Sequence, residues 1–547
     1  MMKYDICIIG SGAGAGPIAF ELTKAGKKVV ILEKGAIYNE KDFSKDEIAF
    51  VRRNIITPNL EDEYHTIEED IDGVWTKFPT YETGWSFWNG NILGGSSNLM
   101  SGYFHRLKPN DFKLKTVYGD YKGANIVDWP ISYEELEPFY TKVEKEVGVS
   151  GRVTKYKHQE PRSEKNYAYP ALEVHPITKL FDKACEKLDF TSYEVPRAII
   201  SKSKEHRNAC YYSNYCGSYP CSSGAKGSSR ASLLVSSLKT GNLTIKANSF
   251  VYKLDSNKNR VTKAYYYTKE GNKKELEAKL FVVAAQAVES SRLLLNSKNN
   301  YHPKGLANSS GQLGRNMIFT GGGIGSGEFD LSNLTKDELF TQGLFVNRAL
   351  KDWYFTKEFK GGTVDFLFEH ANPIKRANSL RYDKNGNLLF GKALQDKIYE
   401  NFTSKRVLNF EIFTDWMPND NCFVSVDGKY KDKYGVPVAN IRIGAHEQNV
   451  KVGDFLAKKA MKVLVQMGAK NIDVNISPLP SANLQAGGCR FGNDPKTSVL
   501  NKYCQSHDLK NLFVTDGSFM PTGGSVPHTW TIYANSFRVA EFIKTIF

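Results

Sequence analysis

The run Gly10-Ser11-Gly12-Ala13-Gly14-Ala15-Gly16 constrains this chain more than any other feature. It follows Asp5-Ile6-Cys7-Ile8-Ile9, a short β-type run, and precedes Pro17 to Ala25, which reads as a helix closed by Gly26. Lys28 to Leu32 then reads as a second strand, ending at Glu33. Strand, glycine turn, helix, strand and acid in that order suit a dinucleotide. The glycines let the backbone approach a pyrophosphate, the helix N-terminus stabilises its charge, and the acid accepts hydrogen bonds from ribose hydroxyls. Ala15 takes the place of the third glycine of the strict pattern, a permitted substitution. A glycine-rich turn alone is a weak signal, but set between two strands and followed by Glu33 it is specific. It assigns Gly10, Gly12, Ala13, Gly14 and Glu33 to the nucleotide.

A chain of 547 residues is too large for one compact core, so two domains sharing a long interface are expected. Apolar residues at 41% and aromatics at 12% exclude a disordered chain. No apolar run is long enough to span a bilayer. Met1-Met2-Lys3 leads straight into the strand-like run Tyr4 to Ile9, with no apolar leader and cleavage site, so a cytoplasmic protein is expected, with export on a partner left open. The formal net charge of +14 raises the question of nucleic acid. The lysines are scattered, however, and a solvated surface is the preferred reading, with a minor role in gathering an anionic substrate as the alternative. Eight cysteines in a chain this long do not make a disulfide scaffold.

Tyr81 to Arg106 is rich in glycine, serine, tryptophan and asparagine around Leu93-Gly94-Gly95-Ser96-Ser97-Asn98, which suits a loop lying close to a flat ligand. Asn242 to Leu280 predicts a three-stranded meander: Leu243 to Leu254, Val261 to Tyr267 and Glu275 to Lys279. A separate buried strand, Leu280 to Ala285, and a helix, Glu289 to Leu295, follow. Ile324 to Pro480 is less regular, with strand-rich stretches at Phe410 to Thr414 and Cys422 to Val426 and an amphipathic helix over Val450 to Met467. The chain has no internal repeat and no low-complexity linker.

Four separated blocks resemble the glucose-methanol-choline (GMC) oxidoreductases. They are the N-terminal glycine turn, Gly94 to Arg106, Phe281 to Ala285 with Glu289-Ser290-Ser291-Arg292, and Gly487 to Ala540. In the last, Gly487-Gly488-Cys489-Arg490-Phe491-Gly492 is similar to the family's GTCRMG segment and Asn511 to Ser518 to its NLFVVDGS segment. Ser223 to Ser229 resembles the sugar-oxidising branch, that of gluconate 2-dehydrogenase flavoprotein subunits. The resemblance implies an α/β fold: a Rossmann-type FAD-binding domain over 1–323, with substrate-side insertions near 40–80 and 110–240. A mixed α+β substrate-binding domain over 324–480 follows, and 481–547 return to the FAD-binding domain and active site. FAD would then be held by the Gly10 turn, Glu33, the Gly95, Ser96 and Asn98 loop, Val251, Ala285, Asp516, Gly517 and Thr529. For Asp516 a turn cap is the competing reading. Gln286 stands where the family carries glycine, which leaves the approach to the adenosine half open.

Oxidising an alcohol on a flavin needs a base for the hydroxyl proton and a carbon held over flavin N5 to release hydride. The family's base histidine lies three residues before the first glycine of the GTCRMG segment, and that position is Leu484, which takes no proton. His528, in Gly523-Gly524-Ser525-Val526-Pro527-His528-Thr529, is the remaining candidate base, offset by one residue from the family's second polar position. Asn483 and Gln485 flank Leu484 and could orient a substrate hydroxyl, while His507 reads as structural. Cys210, Cys216 and Cys221 resemble a cysteine-rich segment of the sugar dehydrogenase branch; an iron-sulfur cluster is one reading and an ordinary loop of thiols the preferred one. The expected activity is oxidation of a sugar, glycoside or sugar-acid hydroxyl, with the electron acceptor unnamed and a small accessory subunit left open. A lyase with structural FAD and an inactive flavin-binding subunit are the alternatives.

Overall fold

Tyr4–Ile9 forms β1, and its apolar run is buried because strands flank it on both sides. The computed structural model describes residues 3–48, 61–83, 85, 87, 89–368, 371–383, 385–480 and 484–547. Within them the strands run in order: β2 (Val29–Leu32), β3 (Thr66–Ile71), β4 (Val74–Pro79), β5 (Tyr193–Glu194) and β6 (Leu243–Lys246). β7 (Phe250–Ser256), β8 (Val261–Tyr267), β9 (Lys273–Val283), β10 (Thr320–Asp330), β11 (Arg348–Leu350) and β12 (Gly362–Phe368) follow. The series closes with β13 (Lys405–Asp415), β14 (Cys422–Ser425), β15 (Asn440–Ile443), β16 (Lys470–Asn475) and β17 (Leu512–Val514).

The first sheet has the order β6-β2-β1-β9-β8-β7, with β17 pairing β9. Its β6, β2, β1, β9 and β17 are parallel, and β7, β8 and the start of β9 form the antiparallel meander. Helix Gly16–Lys24 covers it, packed against the C-terminal helix Thr529–Ile546. The second sheet, β16-β10-β13-β12-β11-β5, packs one face against helix Glu447–Gln466, where Phe366, Phe410 and Ile412 meet Val452, Leu456 and Val463. Alternation along a strand sends Asp365, Glu411, Phe413 and Asp415 to the opposite face.

Two elements differ from the sequence reading. The meander's third strand and the buried strand are one continuous β9: Glu275 to Lys279 alternates exposed and buried, Leu280 to Val283 is wholly buried, and only the covering layer changes. The strand expected over Leu243 to Leu254 is instead two, because the chain turns at Asn248 (φ +51°). There the amides of Asn248 and Ser249 donate to the carbonyls of Gly35 (3.1 Å) and Glu33 (2.8 Å), so the chain crosses the end of β2. Among the described residues no helix is long and apolar enough to cross a membrane.

Candidate active site

The end of β1 and the glycine turn that leads into helix Gly16–Lys24 open onto a cavity of about 320 Å³, within the ~300–1,000 Å³ usual for small-molecule and cofactor sites. Three glycines of the turn have different reasons to be there. At Gly10 (φ +89°) a Cβ would collide with the Ala284 carbonyl of β9's exit, and at Gly14 it would lie 2.6 Å from the Thr515 carbonyl beyond β17. Those two let strand ends and turn touch. At Gly12, by contrast, the nearest atom to a Cβ is the Gly94 carbonyl at 4.0 Å. Nothing in the protein requires Gly12 to be bare, so the requirement comes from whatever approaches the backbone through the cavity, as a pyrophosphate does.

Glu33 lies at the end of β2 and is buried, which pushes its carboxyl above the usual range. It is fixed by the Ser11 hydroxyl, donating at 2.5 Å, and by the Gly35 amide at 2.6 Å. Ser11 in turn accepts from the Gly94 amide at 2.7 Å, which ties the nucleotide turn to the second glycine loop. In that loop Gly94 (φ +92°) and Gly95 (φ +55°) turn the chain, and the Asn98 amide braces it by donating to the carbonyls of Leu93 (3.0 Å) and Gly95 (2.9 Å).

Gly10, Gly12, Ala13, Gly14, Glu33, Gly95, Ser96, Val251, Ala285, Asp516, Gly517, Thr529, Gln485 and His528 all line this one cavity. Asn98 does not; its side chain supports the loop from behind. Asn483 lies outside the described residues. Asp516 is the cap of the short turn Gly517–Phe519, its carboxylate accepting from the Ser518 amide at 2.9 Å and from the Ser290 hydroxyl. Gln286 takes up φ +83° and caps helix Ala287–Asn296, leaving its Nε2 buried without a partner beside the cavity. Gln485 donates to the Phe87 carbonyl at 2.9 Å.

His528 is 2% exposed, and neither ring nitrogen has a hydrogen-bond partner among the described residues. Burial lowers its pKa to about 4, so the imidazole is neutral at ordinary pH. A buried ring with two free nitrogens on a cavity wall is equipped to accept a proton from something placed in that cavity. Leu484 also lines the cavity, in the left-handed region at φ +58°, where a leucine costs about 1–2 kcal/mol. His507 faces away and hydrogen-bonds Ser498 at 2.9 Å.

Sequence reasoning missed Asp415, the last residue of β13. It is 3% exposed, its Oδ1 accepts from the Gly523 amide at 2.8 Å, and its Oδ2 has no partner among the described residues. A Cβ on Gly523 would lie 2.7 Å from His528 Nε2 and 3.4 Å from Asp415 Oδ1, so carboxylate and imidazole flank the same bare glycine. Burial raises the Asp415 pKa to about 6 against the pull of the Lys360 ammonium. The pair Gly523-Gly524 before His528 was the available signal, but nothing local pointed to the strand that meets it.

The iron-sulfur reading of Cys210, Cys216 and Cys221 is not supported. Among the described residues no group of three or more His, Cys, Asp or Glu is gathered to hold a metal ion. All three thiols pack against the small apolar cluster around Leu172 and Ile200; burial pushes the Cys210 thiol up to about 12, away from the thiolate a cluster needs, whereas, against burial, the Lys226 ammonium holds Cys221 below the usual thiol range.

Two family profiles, both described as GMC oxidoreductase, match residues 77–319 and 418–536. The chain is 28% identical to the fructose dehydrogenase large subunit of Gluconobacter japonicus, over 99% of this chain and 98% of that one. It is 27% identical to 2-methyl-1,2-propanediol dehydrogenase of Mycolicibacterium austroafricanum, over 100% and 96%, and 26% identical to paromamine 6'-oxidase of Streptomyces fradiae, over 99% and 91%. Among solved structures, formate oxidase of Aspergillus oryzae matches the fold with a TM-score of 0.65 at 14% identity, covering 99% of this chain and 98% of that one.

Proposed function

Because the chain belongs to the GMC oxidoreductases, enzymes that bind FAD and oxidise alcohols, we propose that it converts a hydroxyl of a sugar or related polyol to a carbonyl. Bound FAD supplies the hydride acceptor for that chemistry. The residues to hold it are the Gly10 to Gly14 backbone with the helix behind it, Glu33 for ribose hydroxyls, Gly95 and Ser96, Val251, Ala285, Asp516, Gly517 and Thr529. Residues 1–323 and 481–547 serve FAD, and 324–480 serve the substrate.

One observation carries the reading: the buried His528 ring with two unpartnered nitrogens on the wall of that cavity. His528 takes the hydroxyl proton as hydride leaves the same carbon, and the resulting imidazolium is offset by the Asp415 carboxylate beside Gly523. Gln485 and Leu484 line the cavity with it, Leu484 as an apolar wall where a second base would otherwise stand. A relative that is itself named a large subunit supports an accessory subunit here. The test is a panel of sugars, glycosides, sugar acids and short diols mixed anaerobically with the FAD-loaded protein. Flavin bleaching together with a carbonyl product is expected for at least one sugar; bleaching by none of them, with FAD firmly bound, overturns the reading.

A further inference from the structure

The face of the second sheet opposite helix Glu447–Gln466 is buried at Thr363, Asp365, Leu367, Phe413 and Asp415 and half-buried at Asn409 and Glu411. Cross-strand pairs stack along it: Thr363 opposite Phe413, Asp365 opposite Glu411, and Leu367 opposite Asn409. Leu367 and Phe413 are each only 8% exposed, yet neither joins any hydrophobic cluster, whereas Phe366, Phe410 and Ile412 on the other face form a core. Leu367 and Phe413 stand on the same face as Asp365 and Glu411. That face reaches the candidate active site, because Asp415, two residues beyond Phe413 on it, accepts a hydrogen bond from Gly523 of the His528 turn. On the near side, Met100 lines the cavity and Tyr103, three residues on, lies in the field of both Asp365 and Glu411.

Two carboxylates directly opposite each other on adjacent strands repel, and a sheet does not adopt that pair for stability. Asp365 is 1% exposed; His105 Nε2 lies 3.0 Å from its Oδ2, and its Oδ1 has no partner among the described residues. Lys351 lies 3.1 Å from the far nitrogen of His105, with that ring between it and Asp365. Glu411 has neither a hydrogen bond nor an ion pair among the described residues, and burial with Asp365 opposite raises its pKa to about 7. Glu411 is half-buried on the sheet, and a carboxylate withdrawn from water is normally paired. In a chain with net charge +14 no lysine or arginine among the described residues has been brought to Glu411.

We propose that Glu411 and Asp365 form a subsite for a protonated amine of the substrate, so that the hydroxyl oxidised belongs to an amino sugar or a comparable amino alcohol. The proposal rests on the oxidation reading above and narrows its substrate class. Glu411 receives the ammonium, the bare Oδ1 of Asp365 completes its acceptors, and the carbinol end lies toward Asp415 and His528.

Binding and oxidation are read separately, on oxidised FAD-loaded protein. Calorimetric titration with D-glucosamine and with paromamine is compared with their fully N-acetylated counterparts, which keep the hydroxyls and lose the charge. At least one amine should bind tenfold or more tightly than its neutral partner, the scale of a charge-assisted hydrogen bond. Glu411→Gln should abolish that preference, bringing the affinity of the amine down to that of its neutral partner. Equal binding of amine and neutral partner, equal weakening of both by Glu411→Gln, or no binding of either amine overturns the subsite. Anaerobic flavin bleaching is followed in the same samples. An amine that binds with the Glu411-dependent preference but is never oxidised, with no other hydroxyl compound bleaching the flavin, tells against the oxidation reading and not the subsite.

Discussion

Gly12 and Gly14 are two residues apart, identical in side chain and opposite in what they are for. Gly14 is bare because the Thr515 carbonyl would lie 2.6 Å from a Cβ, a contact internal to the fold. Gly12 is bare although the protein leaves its Cβ position open. Gly14→Ala is therefore expected to lower the melting temperature of the apoprotein, whereas Gly12→Ala should melt like the wild type and weaken FAD binding at least tenfold, about 1.4 kcal/mol. Calorimetry with flavin titration measures both; an apoprotein destabilised by Gly12→Ala, or FAD affinity unchanged by it, contradicts the assignment. The glycine pattern was fully visible in the sequence, because a phosphate turn is a local object. The separate duties of its glycines were not, since they depend on a carbonyl 501 residues away. His528 was visible only as the remaining candidate histidine in the C-terminal block that resembles the family; that neither of its nitrogens has a partner among the described residues is a property of its surroundings.

Strand ends are where the candidate site is assembled, and β13 contributes most. Its sequence alternates apolar Leu408, Phe410 and Ile412 with Asn409, Glu411 and Phe413, which read alone suggests one face in the core and one in water. The second face is in fact drawn inward, half-buried at Asn409 and Glu411 and buried at Phe413 and Asp415, and no pattern within one strand shows that. For the same reason Asp415 passed unnoticed, and β9 was read as two strands when only its covering changes. Asp415 acts through His528, so Asp415→Asn is expected to keep the acceptor for the Gly523 amide while losing the charge that offsets an imidazolium. Its folded pKa, about 6, is above that of a free aspartate, so the carboxyl is protonated below that pH and ionised above it. The rate of flavin reduction should fall as pH drops through about 6 in the wild type. In Asp415→Asn it should be lower, on the order of tenfold at pH 8, with that limb gone and KM little changed. A variant that keeps the limb at pH 6, or loses substrate affinity instead of rate, assigns Asp415 a merely structural part.

Across the whole molecule the first and last segments make one site. The hydroxyls of Thr515 and Ser536 donate to the Gly14 carbonyl at 2.8 and 2.6 Å, β17 lies beside β9, and the Lys27 ammonium donates to the terminal Phe547 carbonyl at 2.6 Å. The second sheet then closes over this seam through Asp415 and Gly523. Such an arrangement explains why the glycine turn and the C-terminal blocks carried the reading of the sequence so far, while the substrate side, built from strands that meet only in three dimensions, carried little of it. The proposed proton transfer is tested most directly by the anaerobic reductive half-reaction of wild type and His528→Ala, both purified with FAD and followed by flavin absorbance on a substrate from the panel. The expected result is full FAD retention with reduction slowed on the order of 10²-fold or more. Reduction by the variant at near the wild-type rate would contradict it.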